Sequence, residues 1–175
     1  SSITTEQLIN QIKNDPTVEK VEPNYIHSIA GMPNDTYFNN LWGLHNIGQT
    51  GGKIDADIDA PESWELEKQE QDDVVIAVID TGVAYDHPDL AANVWDGTSC
   101  KNENGSVIAG GCPKYGWDYS NEDNDPYDEF AEFSGHGTHV AGIIAAEANN
   151  GTGITGISSK NNIKIMALRV GPFFE

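Results

Sequence analysis

Ser134-Gly135-His136-Gly137-Thr138-His139-Val140-Ala141-Gly142 sets one histidine between two glycines, just ahead of the apolar run Ile143-Ile144-Ala145-Ala146. The glycines let backbone or substrate approach the imidazole, and the apolar run predicts a packed helix with His136 in its first turn. Further upstream, Val74-Val75-Ile76-Ala77-Val78-Ile79 runs into Asp80-Thr81-Gly82. An unbroken apolar run of this kind predicts a strand buried on both faces of a parallel sheet. Asp80 then falls at the carboxyl end of a strand, where open α/β sheets carry their sites. An imidazole acting as a general base must be neutral and held in one tautomer. A carboxylate accepting its Nδ1 proton achieves this and stabilises the imidazolium formed during reaction. Such a pair lacks only a nucleophilic hydroxyl on the other side of the ring, with an oxyanion hole beside it.

The elements that must position this pair are legible as local patterns. Thr4 or Thr5 caps a short helix over 6–13 with Leu8, Ile9 and Ile12 on one side, and Asn14-Asp15-Pro16 ends it. Val18-Glu19-Lys20-Val21-Glu22 reads as a half-buried strand. One helix and one strand cannot form a core alone, so residues 1–30 are expected to be a separate piece of a larger unit. Residues 31–175 then hold the main domain. In it Asp59 is expected to cap a helix with Pro61 in its first turn, and Ile163–Val170 to form a further strand. Trp42, Trp64, Trp95 and Trp117 read as core or anchor residues. The fold class expected is α/β, a parallel sheet flanked by helices.

Composition narrows the partners. The 175 residues carry 9 basic and 28 acidic side chains, a net charge of −19. That surface argues against nucleic acid or an anionic membrane as a partner and favours cations. No stretch has the apolar length of a membrane span, and no leader stands at the start, so a secretion signal is expected outside this sequence. Cys100 and Cys112 share a loop rich in Gly and Asn, which suits either a local disulfide, implying an oxidising compartment, or two free thiols, the bridge being the favoured reading. Asn34, Asn104 and Asn150 each begin an Asn-x-Ser/Thr triplet, a pattern that chance supplies often.

Asp80-Thr81-Gly82, His87-Pro88-Asp89-Leu90 and His136-Gly137-Thr138-His139-Val140-Ala141-Gly142 resemble the aspartate and histidine signatures of the subtilisin-like serine proteases. Leu41-Trp42-Gly43-Leu44-His45-Asn46 and Asp57-Ile58-Asp59-Ala60-Pro61-Glu62 are similar to that family's mature amino terminus, and Asp15 to Tyr25 to the end of its inhibitory propeptide. The resemblance implies that Asp80 orients the base, that His136 is the base and that His139 is structural. It implies a secreted, monomeric endopeptidase acting on protein or peptide, made as a zymogen. Residues 1–30 would be the carboxyl-terminal part of a small α+β propeptide, cut between Tyr25 and Asp35 and a partner of the enzyme. Residues 31–175 would be the amino-terminal part of the peptidase domain. The family's serine and oxyanion asparagine come downstream of the histidine, and no residue here matches them. Gly97-Thr98-Ser99 has the family's Gly-Thr-Ser order but precedes His136 in an irregular loop. The sequence is therefore expected to be an incomplete sheet, inactive alone and either poorly soluble or partly ordered.

Calcium binds six to eight oxygen ligands from carboxylates, amides and carbonyls. Asp118 to Asp128 is dense in such oxygens but does not match the EF-hand pattern. By the resemblance, Asp118 and Asp123 would serve one calcium site. Asp35 and Asp89, with Asn150, Thr152 and Ile154 (or Asn149 in place of Asn150), would serve a second that pins the amino-terminal arm. Two rival readings stand beside the peptidase: a non-catalytic calcium- or partner-binding protein of the same fold, and a metal hydrolase using His136 and His139. The second lacks the two-histidine zinc spacing with its intervening glutamate.

Overall fold

The structure is a computed structural model and describes residues 3–22, 31–66, 72–129 and 135–171. The chain divides into two compact units, Ser1–Ala30 and Gly31–Glu175. In the first unit, helix α1 spans Thr5–Ile12. Thr4 Oγ1 accepts the Gln7 N–H at 3.2 Å and Gln7 Oε1 accepts the Thr4 N–H at 3.0 Å, a reciprocal cap that satisfies two amides at the helix start. Val18–Glu22 forms no strand, contrary to expectation. Val18 and Val21 are three residues apart, so an extended chain would put them on opposite faces. The turn at Asp15, whose carbonyl accepts the Val18 N–H at 3.0 Å, takes up the first amide of that segment instead.

The second unit is organised by three parallel strands: β1 (Val74–Asp80), β2 (Gly116–Asp118) and β3 (Ile163–Arg169), in the order β1-β3-β2. Helix α2 spans Ala60–Leu66 and helix α3 spans His136–Ala145. Asp59 engages α2 through its carbonyl, which accepts the Ser63 N–H at 2.9 Å. Parallel strands in one sheet require a crossover, and α3 lies in the one between β2 and β3. Its Ala141 and Ala145 are fully buried against Val78, Ile165 and Ala167, with Val83 and Leu90 completing the core. Small side chains on α3 let the helix lie close to the sheet. Burying Ile165 alone contributes on the order of 2 kcal/mol.

The register pairs Ile76 with Ile165 and Val78 with Ala167, and these residues share the face under α3. The opposite face is open. Val75 and Ile79 are 46% and 63% exposed, so β1 is not buried on both faces as its composition predicted. A continuous apolar run reports a strand fit for cover on both sides, and the described residues cover one. Cys100 and Cys112 are joined in a disulfide, as expected. Trp64 is anchored by its Nε1–H to the Ile157 carbonyl at 2.8 Å, whereas Trp42 is 53% exposed and is no core residue.

Candidate active site

The carboxyl end of β1 fixes the first functional side chain. The Asp80 carbonyl accepts the Val170 N–H at 3.0 Å, and its Oδ1 accepts the Thr81 N–H at 2.7 Å. His136 Nδ1 lies 2.8 and 2.9 Å from the two carboxylate oxygens of Asp80. The Asp80 side chain is 14% exposed and that of His136 67%. Burial pushes the Asp80 carboxyl up, but hydrogen bonds from the Thr81 N–H and His136 outweigh it and hold Asp80 below the ordinary carboxylate value. The result is an ionised carboxylate behind an open imidazole. This arrangement fixes the tautomer with Nδ1 protonated and leaves Nε2 as the basic atom. No hydroxyl among the described residues is hydrogen-bonded to that ring.

Two glycines are needed here for their missing side chains. Gly135 begins α3 at φ +100°, and a Cβ on Gly137 would lie 2.2 Å from the Gly82 carbonyl oxygen and 3.0 Å from Asp80 Cβ. The first turn of α3 therefore lies directly on the turn that follows β1. Gly135 offers no side chain to cap the helix, and Asp128 fills that role from outside it. Asp128 is fully buried. Its Oδ1 accepts the Gly135 N–H at 3.0 Å and the Thr81 hydroxyl at 3.1 Å. Its Oδ2 accepts the Thr138 N–H at 3.1 Å and the Thr138 hydroxyl at 2.6 Å. The two hydroxyls in turn accept from Gly137 N–H at 3.0 Å and Ala84 N–H at 3.0 Å. Sequence reasoning placed Asp128 only at the end of an acidic loop. The signal that could have singled it out is a helix starting at glycine, which must borrow its cap.

The remaining expected site residues fall elsewhere. His139 is exposed and stands outside the Asp80–His136 pair. Gly97–Ser99 forms a 3-10 turn, and a Cβ on Gly97 would meet the Pro113 carbonyl oxygen at 2.3 Å, so this triplet serves the packing of the disulfide loop. Asp118 is fully buried, but its Oδ2 holds the Arg169 guanidinium at 2.8 Å, and its Oδ1 accepts the Ser120 and Asn121 N–H groups. The structure thus gives Asp118 a cation of the protein's own, and Asp123 meets it through backbone hydrogen bonds and is itself exposed.

Asp35 and Asp89 do come together with the loop 149–155. Both are buried, at 5% and 3% exposure. Asp35 accepts the Asn149 and Asn150 N–H groups and the Thr155 hydroxyl, and Asp89 accepts the Asn150 side-chain amide at 2.8 Å and the Ile154 N–H at 2.9 Å. Two buried carboxylates from separate segments, both held by a loop that carries amide and carbonyl oxygens, offer hard donors whose chemistry fits calcium. Among the described residues no group of three or more His, Cys, Asp or Glu side chains is arranged to hold a metal, so carbonyl and amide oxygens would have to complete any such site.

The profile of the subtilase family matches residues 71–173. A thermophilic serine proteinase of Bacillus sp. (strain AK1) is 38% identical over 164 residues, covering 94% of this chain and 32% of the relative. Thermitase of Thermoactinomyces vulgaris is 37% identical over 138 residues, covering 79% of this chain and 36% of that protein. The halolysin-like extracellular serine protease Nep of Natrialba magadii is 32% identical, covering 95% of this chain and 26% of its own. Among solved structures, the serine protease of Aeromonas sobria in complex with its chaperone superposes with a TM-score of 0.60 at 25% identity, covering 82% of this chain and 21% of that one. The chain thus spans about a third or less of the length of these relatives.

Proposed function

The chain belongs to the subtilase family, and on that premise we propose that residues 31–175 are the amino-terminal part of a serine endopeptidase domain. The nucleophilic serine would lie outside residues 1–175. The observation that carries this reading is the Asp80–His136 pair, joined at 2.8 Å with the ring open to solvent. His136 Nε2 would take the serine proton as the hydroxyl attacks a peptide carbonyl, then give that proton to the leaving amine. Asp80 would hold the Nδ1 proton and stabilise the imidazolium between those two steps. Residues 1–30 would be the tail of an inhibitory propeptide, making the whole protein a zymogen. Export is supported by the disulfide and by a relative described as extracellular.

Calcium would be structural in this protein. Asp35, Asp89, Asn150, Thr152 and Ile154 would hold it, and bound there it would neutralise two buried carboxylates. A second ion held by Asp118 and Asp123 would have to compete with Arg169, which already pairs with Asp118.

The test uses the full-length protein with calcium kept present. A serine-directed phosphonate should abolish peptide hydrolysis, and His136→Ala should lower kcat by about 10⁴-fold or more. Activity that survives the phosphonate but is lost to a zinc chelator would sink the reading and favour a metal hydrolase.

A further inference from the structure

We propose that Asp128 is a positioning residue for the Asp80–His136 pair, acting as a buried charged clamp between the turn after β1 and the first turn of α3. The inference rests on the reading of that pair as the general-base machinery. Its basis is the direction of every hydrogen bond at this carboxylate. The four hydrogen bonds it accepts come from two segments: Thr81 on the Asp80 side, and Gly135 and Thr138 on the His136 side. Each hydroxyl that donates to Asp128 has its lone pairs turned to a backbone amide across the junction. Thr81 Oγ1 accepts from Gly137, and Thr138 Oγ1 accepts from Ala84.

The charge matters as well as the shape. A neutral acceptor in the same place could turn only one oxygen toward these donors, because an amide presents a nitrogen on its other side. The carboxylate accepts on both sides and faces the positive end of α3. It therefore holds the residue next to Asp80 and the residues flanking His136 in one frame. The Nδ1–carboxylate contact it frames is far more exposed than the clamp itself, since Asp128 is fully buried and the His136 ring is 67% exposed. The rigid part of this site is thus behind the pair, and the open part is in front.

The experiment compares Asp128→Asn with Asn93→Ala in the full-length protein. Asn93 is buried and donates to the Ala145 carbonyl at 3.0 Å, so its loss loosens the far end of α3 without touching Asp80. Two readouts are taken: the low-field NMR resonance of the His136 Nδ1 proton, which needs no turnover, and kcat against KM on a peptide substrate. Asp128→Asn should broaden or displace that resonance and lower kcat about 100-fold with KM within about twofold, the scale of a misplaced base. Asn93→Ala should lower thermal stability while leaving the resonance in place. If Asp128→Asn does not fold, Thr81→Val breaks one arm of the clamp and should cost about tenfold in kcat. A resonance and kcat unchanged in the Asp128 or Thr81 variant, or moved equally by Asn93→Ala, overturns the proposal. A wild type without phosphonate-sensitive hydrolysis would instead overturn the peptidase reading, and the Nδ1 resonance would still judge the clamp.

Discussion

Two corners of the molecule bury carboxylates, and they neutralise them differently. At the start of α3, one carboxylate, Asp128, is met by two backbone amides and two hydroxyls from two ordered segments. At the 149–155 loop, two carboxylates share one irregular segment, and Asn150 donates to both, through its backbone N–H to Asp35 and its side chain to Asp89. That loop is itself shaped by left-handed residues, Asn149 at φ 64°, Gly151 at 72° and Gly153 at 55°. A Cβ at Gly153 would meet Asp89 Oδ2 at 2.1 Å, so the loop closes directly on the carboxylate. A single charge facing a helix start is compensated by fixed dipoles. Two carboxylates gathered at one loop would repel when both are charged, and a cation between them would relieve that repulsion. Both corners meet their carboxylates with hydrogen bonds, and the proposed ion would act only at the second, where two carboxylates share one loop.

Experiments that break this contrast start with its largest expected effect. Asp128→Ala strips four donors of their acceptor in a buried place, and should destabilise the protein by about 3 kcal/mol or more. Denaturant unfolding should show that loss unchanged with or without calcium. Calcium at a hundredfold excess over Kd should raise stability by about 2.7 kcal/mol in the wild type, and Asp35→Asn should remove most of that gain. A calcium gain that survives Asp35→Asn but vanishes with Asp118→Asn would move the ion to the other acidic loop. Chelation should also make residues 31–45 the first to be cut in limited proteolysis, because Tyr37 N–H donates to the Gly153 carbonyl at 2.8 Å and Thr36 to that of Gly151.

The smallest effect expected is in acid. Asp80 is held below the ordinary carboxylate value in the folded state, so its stabilising contribution is complete above about pH 4 and is lost as pH falls through the folded value. The stability gap between wild type and Asp80→Asn should therefore be constant near neutrality and close on acidification below pH 4. A gap that widens in acid would mean the carboxylate is held above its ordinary value, with burial winning over the hydrogen bonds.

Much of the site was legible before the fold. Asp80 and His136 announce themselves by local pattern: an apolar strand ending in a carboxylate, and a histidine between glycines before an apolar helix. Their roles depend on atoms within each motif and on a simple meeting of strand end and helix start. The Val18–Glu22 strand was misread because charge alternation suggested a period of two that its valines do not keep. The β1 strand was read as covered on both faces because residue type reports fitness for cover, not the presence of a neighbour.

The sequence by itself determined a helix capped at Thr4 or Thr5, the run that became β1, the placement of His136 in a first turn and the chemistry of its partner. Only the tertiary structure decided which carboxylates act and on what. Asp118, Asp123 and Asp128 lie in one acidic stretch and look interchangeable as text. Folding gives Asp118 to a guanidinium, leaves Asp123 exposed and buries Asp128 behind the Asp80–His136 pair. The reason is physical: a carboxylate's role is set by the donors around it, and here the deciding donors lie on segments distant in sequence.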